Sequence, residues 1–201
     1  MEDVLWSGEL DNIAGITLNA ANYIYNYRQK RKTTKFILDN YNQLENVIST
    51  VLGIWTGHTY VGERKQEKIK KAFQKFFVNF MDLLLDIKNY SENYALKEKQ
   101  LSKKALFQGT VYRLLGHNTA DKNEKIEQTF DDIYVSWSKI PQNSYFESKL
   151  YGVITWIKCI ISVKYFGIDL TALQCSRSNE QEIVFPTIEE CITEIKYIEE
   201  R

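Results

Sequence analysis

Between Glu63 and Tyr94 the chain places Ile69, Phe73, Phe76, Phe77, Phe80, Leu83, Leu84 and Ile87 at helical steps, with Lys65, Lys68, Lys71 and Lys75 facing away. That spacing follows the 3.6-residue turn of an α-helix, whereas a strand would alternate every second residue. At 1.5 Å per residue the helix extends roughly 45 Å. A stripe this broad must be covered, so other helices are expected to wrap it. The segment predicts the spine of a bundle.

Two further helices precede it. Ile13, Ile16, Ala20, Ile24 and Tyr27 define one face of a helix from about Glu9 to Arg31. Thr33 or Thr34 is placed to cap a second helix running to about Gly53, with Ile37, Tyr41, Leu44, Ile48, Val51 and Leu52 on its apolar side. Residues 53–62 hold three glycines with Trp55 and His58 and read as a loop. A shorter helix over about Glu98–Leu115 is expected to end at Gly116. Another, about Ala120–Lys139, carries Ile126, Phe130, Ile133 and Trp137 and stops before Pro141. Residues 144–166 are apolar on nearly all sides and are read as a buried helix, with strand as the lesser reading. Residues 167–185 show no clear period. Pro186 suits the first turn of a last helix carrying Ile188, Cys191, Ile192, Ile195 and Ile198.

The expected fold is therefore all-α: an up-and-down bundle of four to five helices with one long central helix and two C-terminal helices. The bundle is expected over residues 9–140, with 141–201 as a helical extension packed on or beside it. Only two prolines and nine glycines in 201 residues agree with few turns. Three cysteines without a CxxC or Cys/His cluster predict neither zinc site nor disulfide framework. The opening MEDVLWSGELDN has no basic region followed by an apolar core, so no signal peptide is expected. The longest apolar stretch, Leu150–Phe166, is interrupted by Lys158 and Lys164 and falls short of a membrane span. The expected location is the cytoplasm, with recruitment to a membrane.

Catalytic signals are thin. No GxSxG elbow, phosphate-binding loop or glycine-rich nucleotide motif occurs. The adjacent carboxylates Asp131–Asp132, Glu189–Glu190 and Glu199–Glu200 point to different faces of a helix and read as solvated surface. His58 has no acidic or cysteine neighbour in sequence. Arg113-Leu-Leu-Gly-His117 is similar to the Arg-x(4–6)-His signature of helical HEPN ribonucleases. The gap is one residue short, however, and Gly116 would end the helix that should present both groups. No enzyme activity, cofactor or metal is expected.

Charge is more informative. Formal net charge is zero, yet residues 1–110 carry 16 Lys/Arg against 12 Asp/Glu. Five of eight residues from Arg28 to Lys35 are cationic, and Arg64–Lys75 adds six more. If the helices pack antiparallel to their neighbours, the two clusters could meet near one pole. Such a pole could hold anionic headgroups, at about 1 kcal/mol per cation near the surface, or the phosphates of RNA. In the RNA alternative, Tyr23, Tyr25 and Tyr27 would supply stacking groups. A plain solubilising helix end is the remaining alternative.

The run YNYRQKRKT after an aliphatic first helix, then FILDNYNQLENVISTVLG, the long helix QEKIKKAFQKFFVNFMDLLLDIKNYSE, and FQGTVYRLLGHNTADKNEKIEQTFDDIYVSW follow one another in a telling order. Pattern and order over residues 10–140 resemble the helical bundles at the N-terminus of the mixed-lineage-kinase-like pseudokinases of necroptosis, and the fungal HeLo and plant powdery-mildew-resistance domains. The resemblance implies a non-enzymatic signalling or cell-death module that self-associates and contacts anionic phospholipid. It implies lipid contact by Arg28, Lys30, Arg31, Lys32 and Lys35, with Lys68, Lys71 and Lys75 as second choices. Residues after Pro141 depart from the family pattern.

Overall fold

A computed structural model describes residues 2–57, 67–90, 96–117, 121, 123, 124, 127, 136–140, 153–161, 164–173, 181–186 and 192–200, with backbone alone for 2–10, 57, 117, 153, 154 and 192–200. The chain divides into two compact units, Met1–Lys104 and Ala105–Arg201. One is helical and the other is a β-sheet, so the fold is mixed α and β and not the expected all-α bundle. The division falls at Lys104/Ala105 rather than near Pro141.

The helical unit contains α1 (Glu2–Lys30), α2 (Thr34–Gly57), α3 (Glu67–Asn89) and α4 (Leu96–Ala105). Thr33 caps α2, its Oγ1 accepting a hydrogen bond from the Phe36 N–H at 3.3 Å, which satisfies one of the donors a helix start leaves open. Trp55, expected in a loop, belongs to α2 and is 1% exposed, in edge-on contact with Phe73 and Phe77, each at 5.0 Å between centroids. The expected stripe of α3 is buried from Ile69 to Ile87. Polar contacts join α1 to α3 along their length: Lys68 to Asp11, Lys75 to the Asn22 side chain, Asn79 to the Ala21 carbonyl, and Arg28 to Asp82 and Asp86. Residue numbers rise together on both helices, so α1 and α3 run parallel, with α2 antiparallel to each.

The sheet unit holds β1 (Leu106–Phe107), β2 (Thr110–His117), β3 (Ser136–Ser138), β4 (Val153–Ile161), β5 (Gly167–Asp169), β6 (Glu182–Val184) and β7 (Ile192–Glu200), in the spatial order β1-β5-β6-β3-β2-β4-β7 with every pairing antiparallel. In a flat sheet of this order β1 and β2 would lie four strand spacings apart, roughly 19 Å. Only Gln108 and Gly109 join them, a reach of about 11 Å at most. The sheet must therefore curl. Val111, Trp137, Ile157, Cys159, Ile161, Ile183 and Phe185 form its core. Gly167 is required for that packing, since a Cβ there would lie 2.4 Å from Ile183 and 2.8 Å from the Phe185 ring.

Each misread helix has a local cause. The helix expected over Glu98–Leu115 stops at Ala105, because Gly109 adopts φ +154° and the β-branched and aromatic run after it pairs with β4. In the expected helix Ala120–Lys139, Ile126, Phe130 and Ile133 lie outside the described residues, while Trp137 sits in β3. The stretch expected as a buried helix over 144–166 contains β4, whose VITWIKCII is rich in β-branched side chains. The last expected helix is β7. Its Ile192, Ile195 and Ile198 recur every third residue yet stand opposite Ile161, Cys159 and Ile157, which recur every second. Register shifts between Lys158/Cys159 and Ile160/Ile161 each place one extra residue in β7, namely Lys196 and Thr193. Two bulges thus disguise a strand as a helix. Ile188 and Cys191 lie outside the described residues.

Candidate functional site

The end of α1, the start of α2, the end of α3 and the start of α4 meet at one end of the helical unit. Glu98, on the first turn of α4, is fully buried there. Tyr27 donates its hydroxyl to Glu98 at 2.7 Å, and Arg31 reaches the same carboxylate through Nε at 3.1 Å and Nη2 at 2.5 Å. The Arg31 guanidinium also lies 5.1 Å from the centre of the Tyr90 ring. Burial pulls on the Arg31 charge, but the carboxylate beside it outweighs that and holds its pKa above the ordinary value. Burial, reinforced by Glu98, pushes the Tyr27 hydroxyl up. Tyr41 donates its hydroxyl to the Lys97 carbonyl at 3.2 Å, and burial pushes its pKa up to about 12.

These contacts sort the expected cationic site into two kinds of residue. Arg31 is 7% exposed and belongs to the core. Arg28 is bound to Asp86 and Asp82, and its hydrogen bond to Asp86 raises its pKa. Lys30, Lys32 and Lys35 are exposed and have no ion-pair partner among the described residues. Exposed Lys97, with its ammonium 5.7 Å from the Tyr41 ring centre, joins them from α4. Exposed Asp39 is the nearest acid on α2. The second cluster lies elsewhere. Because α1 and α3 are parallel, the start of α3 is at the opposite end from Arg28, where Lys68 pairs with Asp11, Lys71 with Glu67, and Lys75 with Asn22. Asp11 and Arg28 are 17 positions apart on one helix, roughly 25 Å. The two clusters do not converge.

Two residues at the pole carry a signal that periodicity passed over. Leu38 and Leu96 are 63% and 62% exposed, the largest values among exposed large hydrophobic residues described. Leu38 lies off the apolar face of α2 that Ile37, Tyr41 and Leu44 define, and this departure is visible in sequence. Leu96 directly precedes Lys97, whose carbonyl ties α4 to Tyr41 of α2.

Other candidates carry less chemistry. Arg113 and His117 lie in β2, not on a helix, and the Arg113 guanidinium donates to the Ser136 carbonyl at 2.8 Å. This strand setting removes the helical ribonuclease arrangement. Of the three tyrosines proposed for stacking, Tyr27 is buried and bound to Glu98, whereas Tyr25 is exposed. Tyr23 lines a groove of 360 Å³ between α1 and α2, with Ile16, Ala20, Asn46, Val47 and Val51. Cys159 is fully buried and its thiol is pushed up to about 12 by burial, the reverse of what a nucleophile requires. His58, Asp131, Asp132, Glu189 and Glu190 lie outside the described residues. Glu199 and Glu200 fall in β7, opposite Trp156 and Thr155 of β4.

Among the described residues no helix is long and apolar enough to cross a membrane. No family model matches the chain, and no curated protein or solved structure shows significant similarity to it.

Proposed function

We propose that the chain is a non-enzymatic signalling or cell-death module, recruited from the cytoplasm to anionic membrane through the α1–α2 pole of its helical unit and self-associating there. One observation carries this reading. Within the cluster Arg28–Lys35 the two arginines are bound to Asp82, Asp86 and Glu98, while Lys30, Lys32 and Lys35 are exposed and have no ion-pair partner among the described residues. A negatively charged surface would meet three ammonium groups there, with exposed Asp39, one turn from Lys35, as the nearest described acid on α2. The likeness of α1, α2 and α3 in pattern and order to the bundles of necroptotic pseudokinases and HeLo proteins supports the same assignment.

Cosedimentation with vesicles containing phosphatidylserine tests it. Lys30→Glu, Lys32→Glu and Lys35→Glu together are expected to lower vesicle affinity by about 100-fold, at about 1 kcal/mol per cation. Lys68→Glu with Lys71→Glu and Lys75→Glu, at the other end of the unit, is expected to change it little. Binding that survives charge reversal at 30, 32 and 35 removes the site. A gel shift with single-stranded RNA, tighter than vesicle binding at the same salt, transfers the pole to nucleic acid.

A further inference from the structure

Water is a poor solvent for a leucine side chain, and the pole exposes two of them along with four lysines. Leu38 stands one turn from Lys35 on one side and one turn from Tyr41 on the other. Tyr41 contacts Lys97 twice, through its hydroxyl and through its ring, and Lys97 follows Leu96. The helix segments that carry the two leucines are thereby joined through a tyrosine that is itself 6% exposed. Lys30 and Lys32 at the end of α1 and just after it, Lys35 on α2 and Lys97 on α4 lie at the same end of the unit.

We infer that Leu38 and Leu96 form a wedge that inserts below the headgroups of an anionic bilayer, with the four lysines as its collar. This rests on the reading of the pole as membrane-facing and adds how the pole holds on. Three chemical arguments select a bilayer as occupant. A protein interface needs a contiguous apolar centre of standard size, and two leucines alone do not make one. Nucleic acid offers phosphates to the lysines, but its bases stack on aromatic faces, not on aliphatic side chains. A bilayer suits both groups at once, because lysine ammonium groups stay at headgroup level while their stems and the leucines reach the acyl boundary several ångströms below. Buried leucine contributes a term that salt does not screen, so part of the binding persists at high ionic strength.

The experiment compares wild type with Leu38→Ser/Leu96→Ser on phosphatidylserine/phosphatidylcholine vesicles at low and high salt. The expected result is about a tenfold or greater loss of affinity at low salt, loss of the salt-resistant fraction, and an unchanged melting temperature. The variant Leu38→Trp/Leu96→Trp is expected to bind more tightly, since indole rings favour the interface. An unchanged affinity in the serine variant with the tryptophan variant no tighter overturns the wedge, while sensitivity to Lys30→Glu/Lys32→Glu/Lys35→Glu would still leave the electrostatic reading standing. If neither set of variants alters vesicle binding, both fall. Concentration-dependent dimerisation in free solution that the serine pair abolishes would assign the leucines to a second copy and also overturn the wedge.

Discussion

Arg31 sits between Lys30 and Lys32 in sequence and resembles both in charge, yet its place in the molecule differs. Counted along α1, positions 20, 24, 27 and 31 continue one stripe at steps of four, three and four, so the residue after Tyr27 on the buried face is Arg31. Lys30 and Lys32 fall to either side of that stripe and remain in water. The face of Arg31 was thus legible from the period, but its partner was not, because Glu98 is 67 residues away. Burying a guanidinium requires a carboxylate with good geometry, and Glu98 supplies two contacts while also accepting from Tyr27. Glu98→Ala is expected to destabilise the helical unit by about 3–5 kcal/mol, because it leaves an uncompensated buried charge. Glu98→Leu combined with Arg31→Met should recover most of that loss in urea denaturation. A Glu98→Ala protein as stable as wild type would show that the pair is not buried as described.

At the scale of elements, the long helices were readable and most of the strands were not. In α3 the large aromatic and aliphatic groups of the stripe recur at steps of four, three, one, three, three, one and three, so no other period competes with 3.6. In β7 the isoleucine period of three imitates a helix because the bulge residues Thr193 and Lys196 have no counterpart in β4. In β4, Trp156 and Ile157 are neighbours on opposite faces and both are buried, so polar alternation is lost where a strand would have shown it. Deletion offers a test. Removing Lys196 takes out a bulge and leaves Ile195 and Ile198 opposite Cys159 and Ile157, so it should cost little in thermal stability. Removing Leu114 from the regular β2–β4 ladder shifts a register that runs unbroken from Thr110 to His117 and turns core residues outward. That deletion is expected to prevent the sheet unit from folding, as read by circular dichroism.

At the scale of the whole molecule, each unit contains a buried group that resists ionisation, so alkaline conditions weaken both. Burial pushes Tyr41, in the helical unit, from 10.0 up to about 12, and Cys159, in the sheet unit, from 9.0 up to about 12. The unfolded chain releases these protons first, so folded stability is fully present below the ordinary values and declines as pH rises through the shifted ones. The Tyr41 contribution is about 2–3 kcal/mol, lost between pH 10 and 12. Denaturation midpoints measured from pH 8 to 12 should therefore fall above pH 9, and Tyr41→Phe should flatten the upper part of the curve. A flat profile in wild type would contradict the burial of both groups.

The two-residue link between β1 and β2 has a further meaning for a chain that emerges from the ribosome one residue at a time. β1 waits for Ile168 and Gly167 of β5, and the long edge of β2 waits for β4. The described helices find their partners within the first 104 residues, so they can pack while the sheet is still being synthesised. During that interval β2 is a newly made ribbon with open hydrogen-bonding groups and Val111 uncovered. The later half of this protein is therefore where a pause in translation, or a chaperone, would matter most.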